Sequence, residues 1–268
     1  MSQLSKSTSK KPSEKCKTST SSCPYGACNG SGMIHYMQDG LDYAKPCKCR
    51  EKQILQNKYR FAEMPEQLKD LKLRDYKTDI YESGSNKTLS SQAKKIAVNY
   101  VKAFEQMQEK STGLYFYSNT KGSGKSRLAV GIGNALIDTY GTRVKFTTTT
   151  KLLDEIKHTY GGYDIEGMNT SQYLEAIKTV QVLILDDIGT ERITGWVNET
   201  FYEIINQRML SKLVTIYTSN CEIDELKHDD RIKSRIKGMV FPVKCPEEDI
   251  RTKLRQSDNV EIEKLLLR

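Results

Sequence analysis

The sequence predicts an α/β protein: a parallel β-sheet flanked by helices on both faces, preceded by a small cysteine-bearing module. Three observations support this. Apolar strands alternate with helical segments from about residue 90 onward, as in parallel sheets whose strands are joined by helices. The run 182–185 is wholly apolar and precedes two aspartates, which is typical of a strand buried on both faces. A glycine-rich turn separates a predicted strand at 114–118 from a helix that begins at Lys125.

The domain order follows from changes in composition along the chain. Residues 1–22 are rich in serine and lysine and predict a disordered basic tail. Residues 23–60 predict a hairpin between two cysteine pairs, with a helix after it. Residues 61–88 contain Pro65 and Gly84 and predict a linker with a short helix. The large domain is expected over 89–268.

Within the large domain, each element is predicted from its apolar pattern. The predicted strands are 114–118, 143–149, 180–187, 213–219 and 239–243. The predicted helices are 90–110, 125–140, 150–158, 171–179 and 197–211, then two short helices before the last strand and a helix that begins at Pro246.

The turn after the first strand of the large domain has the pattern of a phosphate-binding loop. Residues 119–126 read Asn-Thr-Lys-Gly-Ser-Gly-Lys-Ser, close to G-x-x-x-x-G-K-[ST]. Small residues let the backbone N–H groups point inward at phosphate, with a helix N-terminus behind them. Lys125 is placed to reach the β- and γ-phosphates of ATP, and the Ser126 hydroxyl to bind Mg²⁺. The candidate nucleotide-binding residues are Asn119, Thr120, Lys121, Gly122, Ser123, Gly124, Lys125, Ser126 and Arg127.

Asn119 departs from the pattern, since the first glycine is expected there. Asparagine tolerates the left-handed backbone better than most residues, so we expect the loop to form. The alternative is a glycine-rich hairpin in which Gly-Lys-Ser occurs by chance.

Two carboxylates end the strand 180–187. Ligands of open α/β sheets lie at the carboxyl ends of the strands. Asp186 is therefore a candidate Mg²⁺ ligand. Asp187 stands where many such ATPases carry a glutamate that polarises the attacking water. A strand that ends in a solvated Asp-Asp turn is the alternative.

Four later polar residues are further candidates. Asn220 follows the strand 213–219 and either orients the attacking water or is an ordinary turn residue. Arg231 and Arg235 are four residues apart and share one helix face; they could enter a neighbouring protomer's ATP site, or belong to a basic surface. Arg251 follows an acidic stretch expected to open the last helix, and either faces the nucleotide of its own chain or forms a surface ion pair.

The N-terminal part of the chain, residues 1–60, carries most of the cysteines. Five of the seven lie between residues 16 and 49, in a segment too small for an adequate apolar core, which a bound metal would stabilise. Two cysteine pairs at the ends of a hairpin can form a tetrahedral Zn²⁺ site. The expected ligands are Cys23, Cys28, Cys47 and Cys49, with Cys16 and His35 in reserve.

Charge and composition limit the function classes. Residues 1–60 hold seven of the eight net positive charges, which suggests an electrostatic contact with nucleic acid or an acidic protein surface. The mean hydropathy is −0.61, no segment is predicted to span a membrane, and no secretory signal is evident. We therefore expect a cytoplasmic protein with no membrane partner.

The order of the motifs resembles the DnaC/DnaI/IstB group of AAA+ ATPases. The resemblance covers roughly residues 23–255, and the N-terminal part resembles that of DnaI-type and phage-encoded helicase loaders. Besides the P-loop, the pieces that carry it are Leu-Asp-Asp-Ile-Gly-Thr-Glu at 185–191, Thr-Ser-Asn at 218–220, Asp-Arg-Ile-Lys-Ser-Arg-Ile at 230–236, Ile-Arg at 250–251, and Asp-Gly-Leu-Asp-Tyr-Ala-Lys-Pro-Cys-Lys-Cys at 39–49.

The resemblance implies a weak ATPase that loads the hexameric replicative helicase onto single-stranded DNA at the bacterial nucleoid. The N-terminal module would bind the helicase, and the AAA+ domain would bind ATP and DNA and self-associate. The implied roles are Mg-ATP binding by Lys125, Ser126 and Asp186, water activation by Asp187 and Asn220, a trans arginine finger at Arg235 supported by Arg231, and nucleotide sensing in cis by Arg251.

Two other functions stay open, namely an IstB-type transposition regulator and an adaptor that binds helicase without hydrolysing ATP. For single-stranded DNA, the candidate contacts are Lys145 with Tyr160, Tyr163 and Tyr173, because bases stack on aromatic rings. The alternative for these residues is packing inside the domain.

Overall fold

The computed structural model describes residues 23–160 and 170–267 of the chain. The predicted disordered tail and Cys16 lie outside the described residues. The chain divides into two compact units, Met1–Ile54 and Leu55–Arg268. The boundary falls within helix α1 (Cys49–Ala62).

The first unit is built on a β-hairpin. Strands β1 (Met33–Gln38) and β2 (Leu41–Pro46) pair antiparallel. Asp39 and Gly40 form the turn with φ of 51° and 78°, and positive φ at both positions is what a two-residue hairpin turn requires. The hairpin and its Asp-Gly turn, predicted from the sequence, are confirmed.

The second unit holds the remaining elements. Its strands are β3 (Gly113–Tyr117), β4 (Val144–Thr148), β5 (Val182–Ile188), β6 (Val214–Ser219) and β7 (Val240–Lys244). Its α-helices are α2 (Gly84–Lys102), α3 (Phe104–Glu109), α4 (Lys125–Tyr140), α5 (Thr149–Tyr160), α6 (Thr170–Thr179), α7 (Gly195–Leu210), α8 (Asp230–Met239) and α9 (Arg251–Leu266).

The five strands form one parallel sheet in the order β4-β5-β6-β3-β7. Successive side chains of a strand point to opposite faces, so β3 contributes to two cores. Leu114 and Phe116 pack with α2 and α4 on one face, and Tyr115 packs with α7 and α8 on the other. The predicted parallel sheet with helices on both faces is confirmed.

Two predictions about elements need correction. The predicted helix 90–110 is two helices, α2 and α3, and α2 begins already at Gly84. The last helix begins at Arg251 and not at Pro246. Residues 246–250 are not helical because the Glu247 carboxylate accepts hydrogen bonds from Asn119 and Thr120, and the Glu248 carboxylate accepts one from Glu82.

Residues 61–88, expected to be a linker, pack within the second unit. Leu73, Tyr76 and Tyr81 are buried in the same core as α4. The Tyr81 hydroxyl donates a hydrogen bond to the Ser123 carbonyl at 2.9 Å, and the hydroxyls of Tyr76 and Tyr81 are 2.8 Å apart. This segment therefore supports the phosphate-binding turn.

None of the helices in the described part of the chain combines the length and the apolar character needed to cross a membrane.

Candidate nucleotide site and candidate zinc centre

A cavity of about 890 Å³ lies at the carboxyl ends of β3, β5 and β6, within the size range of small-ligand pockets. The residues that line it come from the glycine-rich turn, from the ends of β5 and β6, and from segments before α2 and around the start of α9. They are Pro65, Gln67, Leu68, Lys121, Gly122, Ser123, Gly124, Lys125, Ser126, Arg127, Asp187, Thr190, Asn220, Ile250, Arg251 and Arg255.

The glycine-rich turn adopts a conformation that needs its two glycines. Gly122 and Gly124 have φ of 74° and 92°, where a side chain is strained. A Cβ on Gly124 would also come within 3.0 Å of the Tyr81 hydroxyl. The turn leads into α4, so a helix N-terminus with free N–H groups opens at the cavity. Asn119 does not have a positive φ, so tolerance of left-handed backbone is not what permits asparagine there.

Lys125 is held in place by the loop itself. Its side chain is 4% exposed, and its Nζ donates to the Thr120 carbonyl at 2.9 Å and to the Ser123 hydroxyl at 3.2 Å. Burial lowers the pKa of Lys125, because the charged form loses contact with water. A phosphate group at this position would supply the opposite charge.

Glu247 holds the first turn of the loop, a contact that the sequence analysis missed. Its carboxylate accepts from the N–H groups of Asn119 at 3.2 Å and Thr120 at 3.0 Å, and from the Ser118 hydroxyl at 3.0 Å. Burial acts to raise the pKa of Glu247, but these hydrogen bonds outweigh it and lower that pKa. The acidic stretch 247–249 is the available signal, but acidic residues at this place in a sequence also indicate a helix start.

Asp186 and Ser126 form an oxygen donor set that fits Mg²⁺. Asp186 is 6% exposed and accepts a hydrogen bond from the Thr218 hydroxyl at 2.6 Å. Burial raises the pKa of Asp186, and hydrogen bonds from Thr218 and Ser126 act against that rise. A cation at this position would favour the ionised carboxylate in the same way.

Asp187 is turned into the cavity by an irregular backbone. The register between β5 and β6 shifts between Leu185 and Ile188, and Asp187 has a φ of 58°, which is unusual for a non-glycine residue. Its N–H donates to the Thr218 hydroxyl at 3.0 Å. Asn220 lines the same cavity, so the two candidates for orienting water lie at one site.

The candidate arginines separate into two groups. Arg251 lines the cavity, and so does Arg255, one helical turn further along α9, which the sequence analysis missed. Arg231 and Arg235 are not among the described residues that line it. The Arg235 guanidinium donates to Asn206 at 2.9 Å and to the Tyr202 hydroxyl at 2.8 Å. These two arginines therefore do not belong to the lining of the cavity in their own chain.

Two of the expected DNA contacts are buried in the domain. Lys145 is 3% exposed and forms an ion pair with Glu63 at 2.6 Å. Tyr173 is buried and its hydroxyl donates to Glu155. The expectation that these two side chains contact DNA is wrong, and packing is their role. Tyr163 and the side chain of Tyr160 lie outside the described residues.

The four cysteines of the first unit form a cluster. The Sγ atoms of Cys23, Cys28, Cys47 and Cys49 all lie within 4.8 Å of one another, the closest pairs at 3.4 Å and 3.7 Å. Zn–S bonds of about 2.3 Å in a tetrahedron place neighbouring sulfurs about 3.8 Å apart. The geometry and the soft donors thus fit zinc. His35 lies 3.8 Å from Asp42 and is largely exposed, so it is not part of the cluster.

Comparison with known proteins agrees with this architecture. The Bacillus subtilis replicative helicase loader DnaI is 33% identical over 121 residues, which cover 44% of this chain and 36% of that protein. The alignments to the curated relatives cover between 36% and 61% of their lengths. A crystal structure of DnaI matches 73% of this chain and all of that chain, with a TM-score of 0.57 and 26% identity.

A second solved structure, the DnaC helicase loader, shows the same fold. It matches 68% of this chain and 99% of that chain, with a TM-score of 0.57 and 23% identity. The family model for the IstB-like ATP binding proteins matches residues 44–230, which is more than half of the chain. The chain belongs to the family of IstB-like ATP binding proteins.

Proposed function

We propose that the protein is an ATP-dependent loader that places a hexameric replicative helicase onto single-stranded DNA in the bacterial cytoplasm. The observation that carries the proposal is the combination of two sites in one chain. The second unit has a P-loop cavity, and the first unit has a candidate zinc centre with an exposed hairpin. Similarity to a protein named replicative helicase loader DnaI supports the assignment.

In the ATP site, Lys125 contacts the β- and γ-phosphates, and Ser126 and Asp186 hold Mg²⁺. When bound, Mg²⁺ neutralises charge on the phosphates. Asp187 and Asn220 orient the attacking water. Arg251 and Arg255 of α9, which line the cavity, contact the phosphates. Pro65, Gln67 and Leu68 offer an apolar surface with an amide for the base.

Hydrolysis by an isolated protomer is slow because the cavity lacks an arginine from α8. Arg235 from a neighbouring copy completes the site, and Arg231 supports it, as trans arginines do in related ATPases. Self-association would therefore control turnover. Single-stranded DNA then binds the assembled second units through phosphate contacts.

The first unit is the candidate helicase-binding module. Tyr36, Met37, Leu41 and Tyr43 on its hairpin are 41% to 67% exposed, and the rings of Tyr36 and Tyr43 are stacked at 5.8 Å. Exposed aromatic and methionine side chains with a polar rim are typical of protein-binding surfaces. The positive charge of the N-terminal region suggests an acidic partner surface.

The test is capture of a purified replicative helicase by the full-length protein. The hairpin variant Met37→Asp/Leu41→Asp should lose the helicase and keep ATP binding. Lys125→Ala should keep the helicase and lose ATP. Loading is then measured as helicase retained on circular single-stranded DNA in the presence of ATP. If the unmodified protein captures no replicative helicase, the proposal is wrong.

A second candidate is an ATP-dependent transposition regulator, favoured by the family model, which is named for IstB-like proteins. Capture of a transposase in place of a helicase would support it. A third candidate, a helicase-binding adaptor that does not hydrolyse ATP, would bind helicase but show no phosphate release at any protein concentration or with single-stranded DNA.

A further inference from the structure

A buried contact between a glutamate and a histidine lies outside the cavity lining, and none of the roles assigned above uses it. Glu191 and His228 are 8% and 3% exposed, and the Glu191 carboxylate contacts Nε2 of His228. The ring of Phe201 packs edge-on against His228 at 5.1 Å. A buried polar pair is weak evidence for stability, because desolvation offsets much of the attraction, so the contacts of the two residues with their neighbours decide what the pair does.

On one side, Glu191 holds the backbone around Asp187. The Gly189 N–H donates to both carboxylate oxygens, at 3.2 Å and 3.0 Å. The Thr149 hydroxyl lies between the Glu191 carboxylate at 2.9 Å and the Asp187 carbonyl at 3.1 Å. Asp187 has a positive φ and such strain persists only where surrounding contacts impose it. The position of Asp187 therefore depends on Glu191.

On the other side, His228 connects to helix α8. Its Nδ1 lies 3.1 Å from the Asn198 side-chain oxygen, and Nδ2 of Asn198 donates to the Asp229 carboxylate at 3.0 Å. Asp229 precedes α8, and its carbonyl accepts the N–H of Ile232 at 2.9 Å. The contacts thus continue into the backbone at the start of the helix.

The same contacts reach both candidate finger arginines. Arg231 donates to the Asp229 carboxylate at 3.2 Å, and the Arg231 carbonyl accepts a hydrogen bond from Arg235 at 3.1 Å. Polar contacts therefore connect the backbone around Asp187 with Arg231 and Arg235, through Glu191, His228, Asn198 and Asp229.

Polar partners hold the ring of His228 on both sides. The Asp229 carboxylate can only accept, so the amide of Asn198 directs its nitrogen there and its oxygen at the ring. The two ring nitrogens of His228 therefore face the Asn198 side-chain oxygen and the Glu191 carboxylate. The ring is thereby held between two elements, and a shift of either must move it or break a contact.

We propose that Glu191 and His228 are positioning residues that fix Asp187 relative to α8, so that ATP bound in one protomer sets where that protomer presents Arg231 and Arg235 to a neighbouring copy. The proposal rests on the proposed function, since it assumes that Arg235 acts on a neighbour's ATP. Neither residue lines the cavity, so neither touches the nucleotide.

The first test observes the histidine directly in the full-length protein. The chain has three histidines, and His35 and His158 serve as internal controls in isotope-labelled NMR spectra. The His228 ring signal should shift between the Mg-ADP complex and the complex with Mg²⁺ and a non-hydrolysable ATP analogue, and His35 should not. An identical His228 signal in the two complexes would overturn the proposal.

The second test separates positioning from structure. Glu191→Gln and His228→Gln should each lower the turnover of the assembled protein by about tenfold and leave ATP affinity unchanged. When Arg235→Ala is added to either variant, the turnover should be no lower than that of Arg235→Ala alone. Lys237→Ala is the matched control, since Lys237 also lies on α8 but pairs with Asp224. A variant that misfolds would lose ATP affinity as well.

The outcomes distinguish the two proposals. If Arg235→Ala abolishes turnover while Glu191→Gln and His228→Gln retain it, the positioning role is wrong and the trans arginine stands. If Arg235→Ala keeps full turnover, the trans arginine is wrong, and the NMR response of His228 decides whether the pair still senses the nucleotide.

Discussion

At the scale of single residues, the P-loop is held by an acid from the far end of the chain. Asn119 and Glu247 are 128 residues apart in sequence, yet the Glu247 carboxylate binds two backbone N–H groups where the usual pattern has its first glycine. Charge-assisted hydrogen bonds of this kind are shorter and stronger than neutral ones. We infer that Glu247 compensates for the missing glycine.

The Glu247→Gln variant should bind ATP about tenfold more weakly, because the amide accepts hydrogen bonds less strongly and the first turn of the loop becomes less ordered. Nucleotide affinity is measured with a fluorescent ATP analogue. Glu248→Gln is the matched control, since that carboxylate binds Glu82 and Asn86 and not the loop. Equal affinities of the two variants would show that Glu247 does not support the loop.

Motif residues could be predicted at this scale, and their distant partners could not. Lys125 and Asp187 stand in local patterns whose chemistry is specific. Glu191, Glu247 and Arg208 have no local pattern that identifies their partners, which belong to other elements of the fold. Arg208 is fully buried, and its guanidinium donates to a threonine hydroxyl and three backbone carbonyls; from sequence it is an ordinary helix arginine.

At the scale of elements, the end of α1 is fixed to the edge strand β4. Glu63 follows α1 with a φ of 49°, and its carboxylate bridges Lys145 at 2.6 Å and Lys151 at 2.8 Å. Burial acts to raise the pKa of Glu63, but the hydrogen bonds from the two lysines outweigh it, and the pKa is lowered. The contact therefore stabilises the folded state through the ionised carboxylate.

Glu63→Gln should lower the free energy of unfolding at pH 7 by about 1–3 kcal/mol. A carboxyl with a depressed folded pKa contributes fully above its unfolded pKa of about 4.3, and loses that contribution as pH falls through the folded pKa. The difference in unfolding free energy between variant and wild type should therefore stay constant from pH 7 to about pH 5 and shrink as the pH falls below about 4.3. Urea unfolding followed by the single tryptophan, Trp196, measures this in the second unit.

Glu66→Gln is the control for the pH dependence of unfolding. Glu66 is 85% exposed, and an exposed ion pair such as the one it forms with Lys69 contributes little to stability. A Glu63→Gln deficit that stayed constant down to pH 3 would contradict the assigned role of the ionised carboxylate.

The hairpin unit has a small core made mostly of cysteines, so we expect a metal at that cluster to stabilise it, whereas the sheet unit has large apolar cores of its own. The described core of the hairpin unit consists of Cys23, Cys47 and Cys49, with Cys28 and Ile34 against them. Thiolate is the form that binds metal. Burial acts to raise the pKa of Cys23, but backbone N–H groups of Cys28, Tyr25 and Ala27 outweigh it and lower that pKa to about 6.

The full-length protein should contain about one zinc per chain, and a chelator should unfold the hairpin unit while leaving Trp196 fluorescence unchanged. Elemental analysis measures the zinc content, and the amide signals of residues 23–54 report the unfolding. Cys47→Ser/Cys49→Ser should lose the zinc, and Cys221→Ser, from the second unit, should keep it. Full zinc content in the double variant would rule out this ligand set.

Element types were predictable because the sheet strands are buried runs and the hairpin has an Asp-Gly turn, both of which are local signals. The start of α9 could not be predicted from the sequence. Acidic residues favour a helix start, whereas here the acidic side chains bind the P-loop and the segment before α2. The segment 61–88 has few long apolar runs, and its tyrosines gain their role only by packing on the P-loop.

At the scale of the whole molecule, the chain joins two units with different physical properties. Most of the net positive charge lies in residues 1–60, whereas the second unit holds both large hydrophobic cores and the ATP cavity. Under the proposed function, the first unit would recognise the helicase, and the second would bind ATP and neighbouring copies of the chain.

Assembly should complete the ATP site, which mixing two inactive variants tests. Asp187→Asn keeps Arg235 but cannot activate water, and Arg235→Ala keeps Asp187 but supplies no finger. Each alone should release phosphate slowly at all concentrations. In an even mixture, about a quarter of interfaces combine the two intact groups, so turnover should exceed that of either variant. Phosphate release, measured as total protein is raised, gives the result.

The control for the mixing experiment is a chain that carries both Asp187→Asn and Arg235→Ala. This double variant, called the helper, supplies neither the aspartate nor the arginine. Because the helper has the same P-loop, any gain from mere crowding or nucleotide binding would appear with it too. Wild-type turnover per chain should rise with protein concentration, since dilute chains lack a neighbour's arginine. Turnover that is independent of concentration, together with no gain on mixing, would mean that the cavity works within one chain and that Arg235 serves only to hold α8 against Tyr202.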